Sequence, residues 1–233
     1  MKYYLDITLL PDTDISLGFI WFKVYQQIHI ALAENGFLSD ESVKGRNGKQ
    51  EPLKKSRIAL SFPEYKRGEY PLGSVLRLFS DTKEQLDALN VKVLLSRLTD
   101  YTHCKSIQVV DETKVKKYVC FKRKQFKSAA KIAKDIERRA EYLVKNKPDK
   151  YGGNIVEVKS ILIGKSKNYD NKSELPFINL MSLSSKPDAP LPDKDRFLLF
   201  IEMQDMESEI KGDFTCYGLS RREKGNQATV PWF

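Results

Sequence analysis

The chain has 233 residues, with 40 Lys and Arg against 31 Asp and Glu, a net charge of +9 and 41% hydrophobic content. No apolar run reaches the roughly 18 residues of a membrane-spanning helix, so no such helix is expected, and these totals fit one large or two small soluble domains. The positive excess points to a polyanionic partner, nucleic acid or a membrane surface.

MKYYLDITLLPD is no signal peptide, because Asp6 interrupts a short apolar stretch. The expected location is cytoplasmic. Its KYYLDITLL alternates with aromatic and β-branched residues and predicts a strand over 2–10. Ser16 is placed to cap a helix running to Gly36, with Gly36 as its C′ residue and Val24, Ile28, Ala31 and Leu32 as its buried stripe. Residues 37–56 are polar and read as a loop or insertion. RIALSF (57–62) predicts a second strand and YPLGSVLRLFS a third. Asp81 is placed to cap a short helix, TKEQLDALN, and KSIQVVD (105–111) predicts a further strand, while TDYTHCKS before it reads as a loop. The order β-α-β-β-α-β is that of a ferredoxin-like unit, so the fold class is α+β, with a ferredoxin-like domain over 1–110.

A second domain, 111–233, is expected to be α+β and to carry a basic helix. KKYVCFKRKQF reads as a basic, aromatic strand. KSAAKIAKDIERRAEYLVKNK reads as a helix closed by Pro148, followed by the turn-like DKYGG. IVEVKSILIG, LPFINLMSL, RFLLFIEMQ and DFTCYGL read as strands, with a Pro-rich hairpin loop over 185–195.

Three clusters carry chemistry. Lys127, Lys131, Lys134, Arg138 and Lys145 fall on one face of the basic helix, opposite Ile132, Ile136 and Leu143. Arg139 adjoins this stripe. A solvated surface and a phosphate-binding surface both fit it. Arg123 and Gln125, two apart in the preceding strand, face one side, and these types can grip guanine and adenine bidentately. His29 flanks the buried stripe of the first helix. It fits either a satisfied half-buried histidine or an acid–base group working near its ordinary pKa. With Cys104, Cys120 and Cys216 lacking any CxxC spacing, and only His29 and His103 as imidazoles, no metal site or cofactor is expected.

Taken in order, MKYYLDITLLPD, QQIHIALAENG, RIALSFPEY, FKRKQFKS, LPFINLMSLSS, FTCYGLS and the terminal VPWF resemble the CRISPR repeat-processing endoribonucleases of type I-F systems. The resemblance covers both halves of the chain. It implies a metal-independent enzyme that binds the repeat stem-loop and cuts once at its 3′ base. The RNA's own 2′-hydroxyl attacks the adjacent phosphate and leaves a cyclic phosphate. It also implies that the protein, monomeric when free, stays on its product and joins the other subunits of the interference complex. Residue by residue, the family's base falls on His29 and its nucleophile-orienting serine on Ser182. A second serine near the cut falls on Ser184, and the active-site tyrosine on Tyr217. The base-reading pair resembles Arg123 and Gln125, and the aromatic stacked on the terminal base pair resembles Phe197. Phe197 also alternates with Leu199 and Ile201, as a core residue would. The terminal Trp232 and Phe233 are expected to pack, not to be displayed.

Overall fold

The first strand, β1 (Tyr3–Leu9), buries Leu5, Ile7 and Leu9 on the core. Pro11 and the Asp12 turn, whose carboxylate accepts from the Asp14 and Ile15 N–H groups, end it. Ser16 then caps α1 (Leu17–Glu34) through its side chain and the Phe19 N–H. Gly36 follows the C-cap Asn35, in the C′ place expected of it, but without a left-handed φ, since the φ values in that range belong to other residues. It is glycine because a Cβ there would lie 2.8 Å from the Lys55 carbonyl oxygen and 3.0 Å from that of Leu32. The chain leaves α1 pressed against the next element.

That element corrects the expectation of a loop. Residues 37–56 contain β2 (Phe37–Lys44) and β3 (Gln50–Ser56), an antiparallel pair with an irregular register between Leu38 and Ser42. The alternation that announces a strand is absent because most of this hairpin is solvated on both faces. Next come β4 (Ala59–Ser61), β5 (Val75–Ser80), α2 (Lys83–Leu89), the short α3 (Val91–Leu94), β6 (Thr102–Cys104) and β7 (Gln108–Val109). Thr82, not Asp81, caps α2, accepting from the Gln85 N–H. β6 corrects the loop reading of THC, and only two residues of KSIQVVD are strand. β1 pairs antiparallel with β5 on one side and with β6 and β7 on the other, and β4 pairs with β5. The resulting order is β4-β5-β1-β6.

β8 (Lys117–Lys124) follows, then three helices, α4 (Ala129–Asn146), α5 (Pro148–Tyr151) and α6 (Ile155–Ser166). After them come β9 (Phe177–Met181), β10 (Arg196–Met206), β11 (Phe214–Thr215) and β12 (Val230–Trp232). A second sheet has the order β12-β8-β10-β9 and a third β11-β3-β2. The computed structural model describes residues 1–44, 50–126, 129–151, 154–166, 174–182, 195–221 and 227–233. The Pro-rich stretch 185–195 lies outside them except for Asp195.

The described chain forms two compact units, Met1–Lys124 with Pro176–Phe233, and Gln125–Leu175. In the first, one continuous core joins Trp21, Tyr25, Phe62, Phe79, Phe121 and Phe214. Asp6, 5% exposed, takes two hydrogen bonds from the Arg77 guanidinium at 2.7 and 3.0 Å. Arg77 in turn lies 4.6 Å from the Tyr4 ring centroid and 4.2 Å from that of Phe233. The terminal aromatics therefore pack, as expected. Trp232 is buried in the strand beside β8, and Phe233 lies against the Arg77 guanidinium.

The second unit overturns one expectation outright. IVEVKSILIG is helical, not a strand. Its β-branched residues favour extended chain, but the Asn154 carboxamide accepts from the Val156 and Glu157 N–H groups and starts a helix. Ile155, Val158 and Leu162 then fall on one face and pack with Ala140 and Leu143 of α4. None of this unit's described residues is in a strand, so no ladder competes. DKYGG likewise contributes its first residues to α5. On α4 the apolar stripe is narrower than expected: Ala140 and Leu143 are buried, Ile132 and Ile136 half-buried, and Ala133 exposed.

Candidate active site

FTCYGLS is the junction of the first unit. Phe214 and Thr215 pair with β3, the Gly218 carbonyl accepts from the Leu60 N–H of β4 at 2.7 Å, and the Ser220 N–H donates to Phe121 of β8 at 2.7 Å. Between these anchors the chain turns through Thr215 and Gly218, with Gly218 at φ +67°. The turn brings the carbonyls of Cys216 and Tyr217 against α1.

His29 meets it there. Its Nδ1 lies 2.8 Å from the Cys216 carbonyl oxygen. A carbonyl can only accept, so Nδ1 carries the proton, and the neutral ring keeps its lone pair on Nε2. The imidazole also stacks on Tyr217, centroids 4.1 Å apart and planes within 6°. Burial lowers the His29 pKa below its ordinary value and the nearby Arg123 guanidinium lowers it further, while the Cys216 hydrogen bond acts the other way. The net shift favours the neutral ring.

Arg123, from β8, places its guanidinium 5.2 Å from the Tyr217 ring and 5.0 Å from the Phe197 ring of β10. Phe197 and Tyr217 meet edge to face at 6.4 Å. Phe197 is only half-buried, whereas Leu199 and Ile201 are fully buried. It thus sits at the rim of the core, next to the histidine–tyrosine stack. Ser182 directly follows β9 and donates its N–H to the Asp195 carbonyl. The residue before it, Met181, is bound to Gln26 of α1 by two hydrogen bonds, with the Met181 N–H donating at 3.0 Å and the Met181 carbonyl accepting at 3.4 Å. Gln26 lies one helical turn before His29.

The structure therefore joins His29, Tyr217, Arg123 and Phe197 by direct contacts and ties the segment of Ser182 to the same helix. Gln125, Lys131, Lys134, Arg138 and Arg139 belong to the other unit, and all five are exposed. Arg138 pairs with Asp135 on its own helix and Arg139 lies over Tyr142. Lys127 and Ser184 lie outside the described residues. Among the described residues no three His, Cys, Asp or Glu side chains converge as metal ligands would, and no helix is long and apolar enough to cross a membrane.

Sequence reasoning missed Tyr25 and Gln26. Tyr25, fully buried, donates its hydroxyl to the Tyr217 carbonyl at 2.7 Å. The available signal was a glutamine at a position that helical spacing makes part of the buried face.

Comparison with known proteins shows the family of the chain. The family model described as CRISPR-associated protein (Cas_Csy4) matches residues 4–233. A protein of Escherichia coli (strain UTI89 / UPEC), named CRISPR-associated endonuclease Cas6/Csy4, is 28% identical over 234 residues, covering all of both chains. One of the same name from Pseudomonas aeruginosa (strain UCBPP-PA14) is 26% identical over 235 residues, again covering all of both chains.

Proposed function

The chain belongs to the CRISPR-associated Csy4 family, and on that premise we propose that it is the endoribonuclease that matures CRISPR RNA by cutting the repeat stem-loop once at its 3′ base. The observation that carries this reading is the His29 ring, its Nδ1–H held by the Cys216 carbonyl so that Nε2 is the free base. His29 removes the proton of a 2′-hydroxyl. That oxygen forms a bond to the neighbouring phosphorus, the bond to the 5′-oxygen breaks, the departing oxygen takes a proton from water, and a 2′,3′-cyclic phosphate and a 5′-hydroxyl remain. Ser182 holds the attacking hydroxyl in line, where orientation lowers the barrier. Tyr217 fixes the plane of the imidazole by stacking. Neither metal nor cofactor enters the scheme.

Arg123 reads a base low in the stem, and Phe197 stacks on the terminal pair. Gln125 reads the neighbouring base. Lys127, Lys131, Lys134, Arg138 and Arg139 meet phosphates, and Ser184 lies by the cut. The division of roles falls at residue 110, with the histidine before it and RNA recognition after it. The antiparallel order β4-β5-β1-β6 supports a ferredoxin-like reading of the first part. The enzyme works in the cytoplasm, is a monomer when free, and remains on its product within the interference complex.

The test is incubation with a type I-F repeat hairpin in excess EDTA. One cut with a cyclic-phosphate end supports the reading; binding without a cut removes the enzyme and keeps the RNA partner.

Two further outcomes are expected. The acid limb of kcat/KM, which reports the free enzyme, has its midpoint below the 6.5 of an ordinary histidine, because the folded state disfavours the imidazolium. The same sign holds for stability: as pH falls through 6.5 the unfolded chain takes up this proton first, and the folded state loses ground. An acid limb at or above 6.5 would assign it to another group. Replacing both Lys131 and Lys134 by alanine reduces the slope of log K against log salt by about 0.7 to 0.9 per lysine. An unchanged slope would take α4 off the RNA.

A further inference from the structure

Helix α1 buries nine residues, and most of them are apolar. Two are polar beyond what packing needs. Tyr25 keeps a hydroxyl where no water reaches it, and Gln26 keeps a primary amide at 3% exposure. Buried polar groups are costly unless they are bonded, and apolar side chains of like size would fill the same space without that requirement. Both groups are bonded, and their partners are the two segments that carry Tyr217 and Ser182.

Tyr25 and His29 are four apart and share a helix face. The Tyr25 hydroxyl donates to the Tyr217 carbonyl at 2.7 Å, and the His29 Nδ1–H to the Cys216 carbonyl at 2.8 Å. The helix thus grips two consecutive carbonyls of the turn. Gln26 reaches a different segment. Its amide takes the Met181 N–H and gives to the Met181 carbonyl, as a neighbouring strand would, at the residue before Ser182.

We propose that Tyr25 and Gln26 are positioning residues, Tyr25 holding the Cys216–Tyr217 backbone against His29 and Gln26 holding Met181, and with it Ser182, at the same helix; their effect on cleavage rests on the function proposed above. Neither touches the reacting atoms. They share the work of keeping base and nucleophile guide at fixed separation, and misplacement by about an ångström can cost a hundredfold in rate. Around His29 lie the Cys216 carbonyl, the Tyr217 ring and, acting on it electrostatically, the Arg123 guanidinium of β8. Burial raises the Cys216 thiol pKa.

The test uses the full chain with Tyr25→Phe and Gln26→Met, each removing only hydrogen-bonding capacity. Single-turnover cleavage of the repeat hairpin is measured below each variant's unfolding temperature, with hairpin affinity and the NMR titration of His29 in the free protein. Tyr25→Phe is expected to slow cleavage about ten- to a hundredfold at unchanged affinity. It also moves the His29 titration to lower pH, because a drifting turn weakens the Cys216 hydrogen bond that raises it. Gln26→Met is expected to slow cleavage by a similar factor and leave the His29 titration in place. Parental rates per folded molecule in either variant, or an unmoved His29 titration in Tyr25→Phe, overturn the assignment for that residue. If Gln26→Met does not fold, Gln26→Asn, shorter by one methylene, replaces it with the same expectation. A parent chain that leaves the hairpin uncut overturns the proposed function instead. The RNA-free titration then still decides Tyr25, and hydrogen exchange of the Met181 amide, faster in Gln26→Met if the clamp exists, decides Gln26.

Discussion

His29→Ala is expected to slow cleavage by about a hundred- to ten-thousandfold, the range that general base catalysis supplies, while hairpin affinity stays within a few-fold of the parent. The separation follows from where the proposed binding groups sit. Arg123 comes from β8 and Phe197 from β10, and both keep their backbone ladders when an imidazole on α1 is lost. The cost to the fold is limited to one hydrogen bond and one ring stack. Leaving the Cys216 carbonyl without its donor costs about 1 to 3 kcal/mol, too little to unfold a domain with so continuous a core. Imidazole added to the medium should restore part of the rate, since the space beside Tyr217 is the size of the ring removed. Gel-shift binding and single-turnover cutting of one hairpin decide it. Cutting at a rate near the parent's would take the general base away from His29.

The sequence made His29 legible because a histidine at the edge of an apolar stripe is unusual, and because QQIHIALAENG and FTCYGLS carry a family resemblance. The tautomer was not legible. It depends on a carbonyl 187 residues away in the chain, and backbone acceptors leave no mark on residue type. Gln26 was missed for a related reason: its partner is again backbone, so no complementary residue announces it. β1 and β5 could be read from their alternation, and β8 from its basic and aromatic residues. The β2–β3 hairpin could not, because a strand solvated on both sides has no hydrophobic period. α6 was misread in the opposite sense. Its IVEV start has the residues of a strand, and the cap at Asn154 together with packing on α4 outweighed local propensity. The basic helix was recognised as a helix from its period.

Gly218→Ala is expected to be among the most destabilising single substitutions in the chain. Two separate costs meet at this residue. Its φ of +67° is strained for any L side chain, at about 1 to 2 kcal/mol. A Cβ there would also overlap Leu60 Cγ, and would lie 2.9 Å from Leu60 Cδ1 and 3.1 Å from Leu32 Cδ1. Both leucines are in the core, with Leu60 1% exposed. The turn cannot retreat, because the Gly218 carbonyl is bonded to the Leu60 N–H and its own N–H to Thr215. Overpacking of this kind adds roughly 1 to 3 kcal/mol. The sum, about 2 to 5 kcal/mol, corresponds to a fall in Tm of roughly 4 to 20 °C for a chain of this size. Gly68→Ala is the control. Gly68 has φ +104°, harder still for alanine, but no atom within 4 Å of the added Cβ. It reports an upper bound on the dihedral cost alone, so the excess in Gly218→Ala measures the collision with Leu60. Because Tyr217 precedes Gly218, the same substitution should also disturb the stack on His29 and slow cleavage in the molecules that remain folded. Equal Tm losses in the two variants would mean that Leu60 moves aside freely. The turn would then owe its shape to its hydrogen bonds and not to the core beneath it.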